Sequence, residues 1–525
     1  MFGPGGSLLA QAISKADIAT PVTVRPNILI LMADQLAASS LPAWNNRVAR
    51  TPHLDGLAED GVVFRNCHCV SPLCAPARAA LMSGLLPSRS GVYDNAAHFA
   101  ADIPTFAHYL RSAGYRTILA GKMHFCGPDQ LHGFEERLTT DIYPADFGWT
   151  PDWTKPEDRP DWYHSMSSVT EAGLCVRSNQ IDFDDEVAFA ARRQIFDIAR
   201  GDDSRPFCLV VSFTHPHDPY LVTAEYWNRF ADDAIDMPRN DQPATDPHSL
   251  RLRHVIGLGD RSVTADEIRR ARHAYYGAIA YLDDRIGEIL DTLTACGLAE
   301  DTVIIFLADH GEMLGEHGLW YKMCFFEPSS RVPLIFRAPR LFPPRVVEGA
   351  ASLLDVLPTL AAIAGDGTEP EYAMRVDGRS LLSELSGNAG GDLALGEYLA
   401  EGAVAPMVMI RCGPWKFIHC PADPDQLFDL AVDPEEQHNF AQDSAHAEVV
   451  SAFREEVAGR WNLGALDQAV RQSQQRRLFV AASLRQGRVR PWDFQPFIDA
   501  AQQYMRNHLK LEEVEARARF PRSNA

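Results

Sequence analysis

Residues 71–95 read SPLCAPARAALMSGLLPSRSGVYDN, a pattern that predicts a tight turn leading into a helix. Pro72 and Pro76 disfavour an earlier helical start, whereas residues 77–82 are good helix formers. Cys74 should therefore lie just before a helix N-terminus, with Arg78 about one turn along the same face. A thiol, a positive charge and free backbone N–H groups in one small space favour an anion. A lone cysteine is more often a core residue, so its neighbours decide between these interpretations.

Short motifs in and beside this segment resemble the type I sulfatases of the alkaline phosphatase superfamily. The spacing Cys74-x-Pro76-x-Arg78 resembles the signature of that family, whose cysteine is oxidised to formylglycine after translation. The motifs PLCAPAR, LPSR and YDNAAHF are similar to the choline-sulfatase branch. Ala77 stands where the signature usually has a hydroxyl residue, whereas the Cys, Pro and Arg are retained. The resemblance implies that a formylglycine-generating enzyme modifies Cys74 during maturation.

Length and composition indicate a large α/β protein. With 525 residues and 46% apolar composition, the chain can bury a large core. Together with the family resemblance, the buried-strand runs predict a large, mostly parallel central sheet flanked by helices, of alkaline-phosphatase/sulfatase type. A smaller C-terminal α+β subdomain and an extended C-terminal tail should follow. The net charge of −21 argues against sequence-independent nucleic-acid binding and is compatible with a cationic substrate.

Cysteine usage and the N-terminus predict the compartment. Ten cysteines without a CxxC pair form neither a disulfide framework nor a zinc pattern, which favours the reducing cytoplasm. Residues 1–24 lack the basic start and the long apolar run of a signal peptide or a membrane span. We therefore expect a flexible lead-in and no membrane association.

Four regions are predicted: the lead-in at 1–24, a sulfatase-like catalytic domain at 25–385, a C-terminal subdomain at 386–470 and a tail at 471–525. The tail has eleven Lys or Arg against five Asp or Glu, on an otherwise acidic chain. This contrast and several apolar residues favour docking, which we expect across a subunit boundary of a homo-oligomer, a dimer or a tetramer. Choline sulfatases have such a tail, so Glu512 or Glu513 could close a neighbour's pocket.

Oxygen and imidazole donors follow two predicted buried strands. Residues 27–32 (NILILM) precede Asp34 and Gln35, and residues 302–307 (TVIIFL) precede Asp309 and His310. Ligands gather beyond the carboxyl ends of strands in open α/β sheets, and such donors suit a hard divalent cation. An acid after a strand is also a common helix cap. The resemblance implies that these four positions hold the metal together with the modified Cys74. Ca²⁺ is favoured, with Mn²⁺ or Mg²⁺ as alternatives.

Basic groups follow other short strands. Lys122 and His124 come after residues 117–119 and would share one side of an extended chain. His217 follows the buried run at 206–213, and two histidines at a strand terminus are either metal ligands or proton-transfer groups. The family's G-K-x-H and P-H-x-P motifs imply that Lys122, His124 and His217 are catalytic. The resemblance also makes Lys322 a sulfate-binding lysine and leaves His215 in a supporting position.

The segment from 141 to 164, DIYPADFGWTPDWTKPEDRPDWYH, has no helical or strand period and mixes tryptophans with aspartates. Aromatic faces near carboxylates suit a quaternary ammonium, which binds by cation–π and Coulomb interactions. A loop whose tryptophans pack on the domain is the alternative. The resemblance points to Trp149 and His164 in a choline pocket, with Asn95 near the ester. It favours Glu397 over Glu401 as the counter-charge.

The predicted reaction is hydrolysis of choline-O-sulfate to choline and sulfate, with the formylglycine hydrate as nucleophile. Arg78, Lys122 and Lys322 would neutralise the sulfuryl oxygens. His217 with Lys322 would protonate the leaving choline, and His124 would accept a proton from the second hydroxyl. Alternatives are a phosphonate monoester or phosphodiester hydrolase or an arylsulfatase of the same superfamily, and a non-catalytic choline-binding protein with unoxidised Cys74.

Overall fold

The computed structural model describes residues 25–506 and 509–521, and the predicted lead-in at 1–24 lies outside the described residues. The strands are β1 (Asn27–Ala33), β2 (Val62–His68), β3 (Arg116–Gly121), β4 (Glu136–Arg137), β5 (Gly173–Leu174), β6 (Phe207–Ser212), β7 (Leu221–Val222), β8 (Thr302–Ala308), β9 (Arg331–Val332), β10 (Leu334–Arg337), β11 (Arg345–Ser352), β12 (Leu393–Tyr398), β13 (Met407–Cys412), β14 (Trp415–Cys420) and β15 (Asp423–Asp429).

The α-helices are α1 (Pro52–Glu59), α2 (Cys74–Ser83), α3 (Pro87–Ser90), α4 (Phe106–Ser112), α5 (Ser167–Thr170), α6 (Asn179–Arg200), α7 (Ala224–Trp227), α8 (Pro247–Val255), α9 (Ala265–Ala295), α10 (Glu327–Ser330), α11 (Val356–Ala364), α12 (Leu382–Leu385), α13 (Ala447–Arg460), α14 (Leu463–Leu484) and α15 (Leu511–Ala518). Within the described ranges, no helix is both long and apolar enough to cross a lipid bilayer.

The central sheet has the strand order β11-β2-β10-β8-β1-β6-β3-β4, with β9 paired to β2. Strand β1 runs parallel to both β6 and β8, β3 runs parallel to β4 and β6, and β11 runs parallel to β2. Strand β10 is antiparallel to both of its neighbours, and β9 is antiparallel to β2. The predicted mostly parallel sheet is confirmed.

The central strands are apolar on both faces because helices cover the sheet. Strands β6 and β8 are buried along their whole length, and β1 is buried after its first residue. Helix α6 packs along the 31-residue helix α9, and α11 packs against α2 and α4. A capping box of Thr264 and Glu267 begins α9, so two backbone donors of its first turn are satisfied.

The register of the parallel strands brings four loops to one edge. Ala33 pairs with Ala308, so Asp34 and Asp309 leave the sheet side by side. On the other side of β1, Met32 pairs with Ser212, and Ser212 also pairs with Gly121 of β3. The segments that follow β1, β3, β6 and β8 therefore start at the same edge of the sheet.

Strands β12 to β15 form a separate antiparallel sheet, which corresponds to the predicted C-terminal α+β part. Strands β14 and β15 are adjacent, as expected for the segments around Trp415 and Phe428. The buried Lys416 Nζ reaches from this sheet to Glu327 Oε1 at 3.0 Å. Helix α14 runs from Leu463 to Leu484, so the predicted boundary at 470/471 falls inside a helix. The other domain boundaries stay predictions.

The first half of the tail docks on its own chain, which differs from the expected contact with a neighbour. Arg477 of α14 forms an ion pair with the buried Asp94, and Asp493 accepts a hydrogen bond from the Ala145 N–H at 3.0 Å. Large apolar side chains are exposed in both halves of the tail, namely Phe479, Leu484, Val489, Phe497, Ile498, Tyr504, Met505 and Leu511. The expected subunit contact of the tail stays a prediction.

Candidate active site

The ends of β1 and β8 and the start of α2 bring four possible metal ligands together. Asp34, Cys74, Asp309 and His310 are all buried, and their ligand atoms lie within 4.8 Å of one another. His310 Nε2 lies 3.7 Å from Asp34 Oδ1 and 3.8 Å from Asp309 Oδ2. The predicted contact between residue 74 and the two strand-end pairs is present.

Buried cations balance the two carboxylates. Lys122 Nζ donates to Asp34 Oδ2, and Arg78 Nε donates to Asp309 Oδ2 at 2.7 Å. Burial opposes the charge of Asp34, but the Lys122 ammonium and other nearby cations hold the pKa of Asp34 well below its usual range. Arg78 also donates to the Lys122 carbonyl at 2.6 Å and does not line the cavity described below. Its buried Nη2 has no hydrogen-bond partner among the described residues, and its role at the sulfuryl group stays a prediction.

The donor set fits a hard divalent cation. Oxygen ligands about 2.3–2.6 Å from Ca²⁺ lie about 3.3–3.7 Å apart in an octahedral arrangement, close to the spacing between His310 Nε2 and the two carboxylates. The Gly311 carbonyl lies 3.0 Å from His310 Nδ1, so Nδ1 carries the proton and Nε2 keeps a free lone pair. Burial lowers the pKa of His310 to about 4, so its imidazole is neutral, as a metal ligand must be.

Cys74 is the first residue of α2 rather than the residue before it. Its Sγ lies 3.2 Å from His310 Nε2 and 3.7 Å from Asp34 Oδ1. Burial and the Asp34 carboxylate raise the pKa of Cys74 to about 12. The unmodified side chain is therefore a protonated thiol at neutral pH and a poor nucleophile. Asn95 Oδ1 accepts from the Ala75 N–H at 2.9 Å and so supports the start of α2.

Gln35 has a left-handed backbone, with a φ of 62°, and its amide faces two charged groups. Its Oε1 accepts from Lys322 Nζ, and its Nε2 donates to Glu312 Oε2. Glu312 Oε1 in turn accepts from the backbone N–H of Tyr321 at 2.6 Å and of Leu314 at 3.0 Å. Glu312 thus fixes the orientation of the Gln35 amide. The role of Gln35 as a metal ligand stays a prediction.

His217 and Lys322 form the pair expected for proton transfer. Lys322 Nζ lies 2.8 Å from His217 Nε2, and His217 Nδ1 donates to the Asp218 carbonyl at 2.7 Å. Burial and the Lys322 ammonium lower the pKa of His217 well below its usual value. His215 points elsewhere, since its Nδ1 lies 2.6 Å from the Asp184 carboxylate. The two histidines of this segment therefore have different positions, as the sequence motif suggested.

Lys122 and His124 are not among the residues that line the cavity described below. The Lys122 Nζ is 4.4 Å from the ring centroid of Tyr143. His124 has a φ of 55°, so the chain is not extended here as the alternation argument assumed. Neither ring nitrogen of His124 has a hydrogen-bond partner in the part of the chain that the structure describes. Burial and Lys122 lower the pKa of His124 to about 3.

A cavity of about 270 Å³ opens above Cys74. Six of the predicted residues line it: Cys74, Asn95, Trp149, His164, His217 and Lys322. Aromatic rings form much of its wall, and the rings of Trp149 and Trp162 are stacked at 6.3 Å. The structure therefore places the predicted nucleophile and the predicted aromatic segment on one cavity.

The prediction that Glu397 supplies the counter-charge in this cavity is wrong, because Glu397 lies outside the cavity. Glu397 lies in β12, where its carboxylate accepts from Ser88 Oγ at 2.7 Å and from Trp461 Nε1 at 2.6 Å. Glu401 follows the strand and lines the cavity instead. Its Oε2 is buried and has no hydrogen-bond partner among the described residues. Burial and nearby Asp94 raise the pKa of Glu401 to about 7.

Glu512, the residue predicted to close a neighbour's pocket, is exposed on α15 and does not line the cavity of its own chain. Four residues of the site were not selected from the sequence: Tyr143, Asp218, Glu312 and Glu401. Asp218 and Glu312 each lie within three residues of a strand-end residue that was predicted from the sequence. This proximity could have identified them as site residues. Tyr143 belongs to the aromatic segment. Glu401 was considered as the counter-charge, but the nearby Glu397 was preferred.

Three family models match parts of this chain. A family model described as Sulfatase matches residues 26–366, one for the C-terminal part of N-sulphoglucosamine sulphohydrolase matches 315–461, and one for the choline sulfatase C terminus matches 468–520. A choline-sulfatase of Rhizobium meliloti (strain 1021) is 48% identical over 513 residues, which cover 95% of this chain and 99% of that protein.

Solved structures agree on the fold. A phosphonate monoester hydrolase of Agrobacterium radiobacter superposes with a TM-score of 0.67 at 28% identity, covering 83% of this chain and 95% of that one. A putative sulfatase from Bacteroides fragilis gives a TM-score of 0.66 at 24% identity, covering 86% and 97%. The Sulfatase model covers well over half of the sequence, and the chain belongs to the sulfatase family.

Proposed function

We propose that the protein hydrolyses choline-O-sulfate to choline and sulfate. The observation that carries this proposal is one cavity that Cys74, Glu401 and several aromatic rings all line, where Glu401 Oε2 has no hydrogen-bond partner among the described residues. A sulfate ester with a quaternary ammonium has the two ends that such a cavity would bind. The 48% identity to a protein named choline-sulfatase supports the same substrate.

The sulfate end would bind beside Cys74. A divalent ion held by Asp34, Gln35, Asp309 and His310, with Ca²⁺ as our choice over Mn²⁺ or Mg²⁺, supplies positive charge at the sulfuryl group. Formylglycine made from Cys74 supplies, as its hydrate, a nucleophilic hydroxyl and a second hydroxyl whose deprotonation releases sulfate. Lys322 reaches the cavity and neutralises developing negative charge.

The leaving choline oxygen needs a proton, because an alkoxide is a poor leaving group. The ammonium of Lys322 donates to His217 Nε2 across 2.8 Å, and both side chains line the cavity. This pair can transfer one proton to the leaving oxygen. The Asp218 carbonyl holds Nδ1 of His217, which keeps Nε2 directed at Lys322. His124, buried, neutral and without a partner among the described residues, is our candidate to accept the proton of the second hydroxyl.

The choline end would lie against the aromatic wall. Each aromatic face contributes about 0.5–2 kcal/mol to binding a desolvated cation. Trp149 and Tyr143 have ring centroids 5.2 Å apart, and Trp149 also stacks on Trp162. Glu401 would supply the counter-charge. A bound ammonium would stabilise the ionised carboxylate, which has no other partner on Oε2 among the described residues.

Replacement of Glu401 tests the proposed substrate. We expect Glu401→Gln to raise the KM for choline-O-sulfate by about tenfold or more, which corresponds to the loss of about 1.4 kcal/mol of binding free energy. The KM for 4-nitrophenyl sulfate, which has no cation, should change little. Steady-state kinetics on both esters measure this difference. Glu397→Gln is the matched control, because it neutralises a buried carboxylate that lies outside the cavity.

The wild-type enzyme, assayed on the same two esters and on a phosphodiester, distinguishes the other functions. A higher kcat/KM for the phosphodiester would indicate a phosphonate or phosphodiester hydrolase, and a higher value for the aryl ester would indicate an arylsulfatase. Binding of choline without turnover would indicate a choline-binding protein. Equal KM changes on both sulfate esters in Glu401→Gln would contradict the assignment of Glu401.

The pH dependence should differ between the two esters. Because the pKa of Glu401 is raised to about 7, its carboxyl is neutral below that pH and charged above it. We expect kcat/KM for choline-O-sulfate to fall below about pH 7 by up to about tenfold per pH unit relative to 4-nitrophenyl sulfate. Dividing one pH profile by the other removes the effect of titrating groups that act on both substrates. In Glu401→Gln this ratio should be independent of pH, and a persisting slope would assign the titration to another group.

Further proposals concern maturation, compartment and assembly. A formylglycine-generating enzyme would act on Cys74. All ten cysteines are free, which supports the reducing cytoplasm. The exposed apolar side chains of Phe497, Ile498, Tyr504, Met505 and Leu511 would form contacts in a homo-oligomer, a dimer or a tetramer, where Glu512 could approach a neighbouring site. A monomeric mass by light scattering would contradict this assembly.

A further inference from the structure

Arg477 of α14 is buried deep in the body of the protein. Its Nη1 and Nη2 donate to the two carboxylate oxygens of Asp94 at 2.7 and 2.6 Å. Nη1 also donates to Thr150 Oγ1 at 3.1 Å. The Arg477 side chain is 6% exposed and that of Asp94 is 0% exposed. A bidentate pair with a third hydrogen bond holds both partners in one geometry.

Both partners of Arg477 stand next to residues that line the cavity. Asp94 precedes Asn95, and Thr150 follows Trp149. Asn95 Oδ1 also accepts from the Ala75 N–H at 2.9 Å, beside Cys74. The guanidinium therefore links two walls of the cavity that lie more than fifty residues apart in sequence.

The aromatic segment needs such a link. Residues 141–164, all of them described, contain no helix or strand. Three further hydrogen bonds with α14 hold this segment. The Trp153 N–H donates to Gln474 Oε1 at 3.0 Å, Arg471 Nη1 donates to the Trp153 carbonyl at 3.1 Å, and Gln475 Nε2 donates to Asp152 Oδ1 at 2.9 Å. Without regular backbone pairing of its own, the position of the segment depends on these side chains.

We propose that Arg477 is a positioning residue through which the C-terminal segment sets the selectivity for a cationic sulfate ester. By pairing with Asp94 and Thr150, it fixes the distance between Asn95 and Trp149 without contacting the substrate. This inference rests on the proposed function, because it assumes that the ammonium lies against Trp149. It assigns a part in substrate binding to a helix that lies more than 300 residues after the aromatic segment.

Kinetics of the full-length enzyme test the proposal on choline-O-sulfate and 4-nitrophenyl sulfate. We expect Arg477→Met to raise the KM for choline-O-sulfate by at least about tenfold, because misplacing binding groups by about 1 Å costs up to about 100-fold. The kcat for this ester and the KM for the aryl ester should change by less than about threefold. Arg477→Lys keeps the charge opposite Asp94 but cannot form the bidentate pair, so it should restore only part of the affinity.

Arg476→Met is the matched control, since Arg476 is exposed on the same helix and should leave both KM values unchanged. A buried Asp94 without its partner destabilises the fold, so the double variant Arg477→Met/Asp94→Asn removes that charge and should still show the raised KM. Equal losses of kcat/KM on both esters would indicate a general structural defect and overturn the proposal. An unchanged KM in Arg477→Met would also overturn it.

Hydrogen exchange separates this proposal from the proposed function. Peptides that cover residues 92–96 and 141–164 should exchange faster in Arg477→Met than in Arg476→Met and wild type. If wild-type enzyme fails to hydrolyse choline-O-sulfate, the proposed function is wrong, and this exchange pattern still tests the link between the two walls. Unchanged exchange in both peptides would refute the positioning role of Arg477 for any substrate.

Discussion

Cys74→Ser should stop catalytic turnover and leave the fold intact. We expect the steady-state rate of sulfate release to fall by about four orders of magnitude or more, as when a nucleophile is removed from other hydrolases. A serine has one hydroxyl, so a sulfated serine has no second hydroxyl to expel the sulfate. Each chain should therefore release at most one choline. Rapid-mix measurement of choline and sulfate against enzyme concentration would show this stoichiometry.

The control and the covalent state of Cys74 complete this test. Cys412→Ser changes an exposed thiol and should leave turnover unchanged. In the wild-type enzyme, the mass of the peptide that contains Cys74 should be lower by about 18 Da than the mass calculated for the thiol, as exchange of a thiol for an aldehyde requires. Many turnovers by Cys74→Ser at the wild-type rate would contradict the role of residue 74.

Asp34→Asn should have the second largest effect. The Asp34 carboxylate contacts Lys122 and lies 3.9 Å from Arg78 Nη2 and 3.7 Å from Cys74 Sγ, so its loss removes one of the two buried carboxylates of the site. We expect bound divalent metal to fall from about one per chain to a small fraction, since a neutral amide is a weaker ligand. The kcat should fall by about three orders of magnitude. Elemental analysis and steady-state kinetics measure the two effects.

Asp377→Asn serves as the matched control, because it breaks an ion pair with Arg89 away from the metal ligands. It should keep both metal and activity. Full metal content in Asp34→Asn would show that Asp34 is not a ligand. The same elemental analysis of the wild-type enzyme identifies the metal, for which we expect Ca²⁺.

The clustering of Asp34 and Asp309 was predictable because the sheet is regular. Asp34 and Asp309 each follow a continuous apolar strand, and parallel neighbours end at the same edge. Lys322 is different: it follows no strand, and its assignment came only from the resemblance. Its position depends on contacts with Gln35 and His217 that no local pattern encodes.

The residue that supplies the counter-charge could not be identified from the sequence. Glu397 lies in a strand, so its side chain could have faced either side of the sheet. It faces Ser88 and Trp461. Glu401, in the turn after that strand, points into the cavity. Choosing between two acids four residues apart requires knowledge of the strand's end and orientation, and the sequence contains neither.

The docking of the tail was beyond prediction for another reason. Charge contrast and apolar content indicated that the tail would dock, but not on which chain. The partner of Arg477 is 383 residues away, and a buried arginine has no sequence pattern that separates it from a surface one. Contacts over such separations appear only in the folded chain.

The same separation in sequence sets the order in which Asp94 and Arg477 are synthesised. Arg477 leaves the ribosome long after Asp94, so the wall that it secures is completed only after another 383 residues have been synthesised. Cys74 is 1% exposed once the chain has folded, too little to enter the active site of another protein. The oxidation proposed for Cys74 would therefore belong to the interval in which the nascent polypeptide is still open. The late arrival of α14 would keep this interval available.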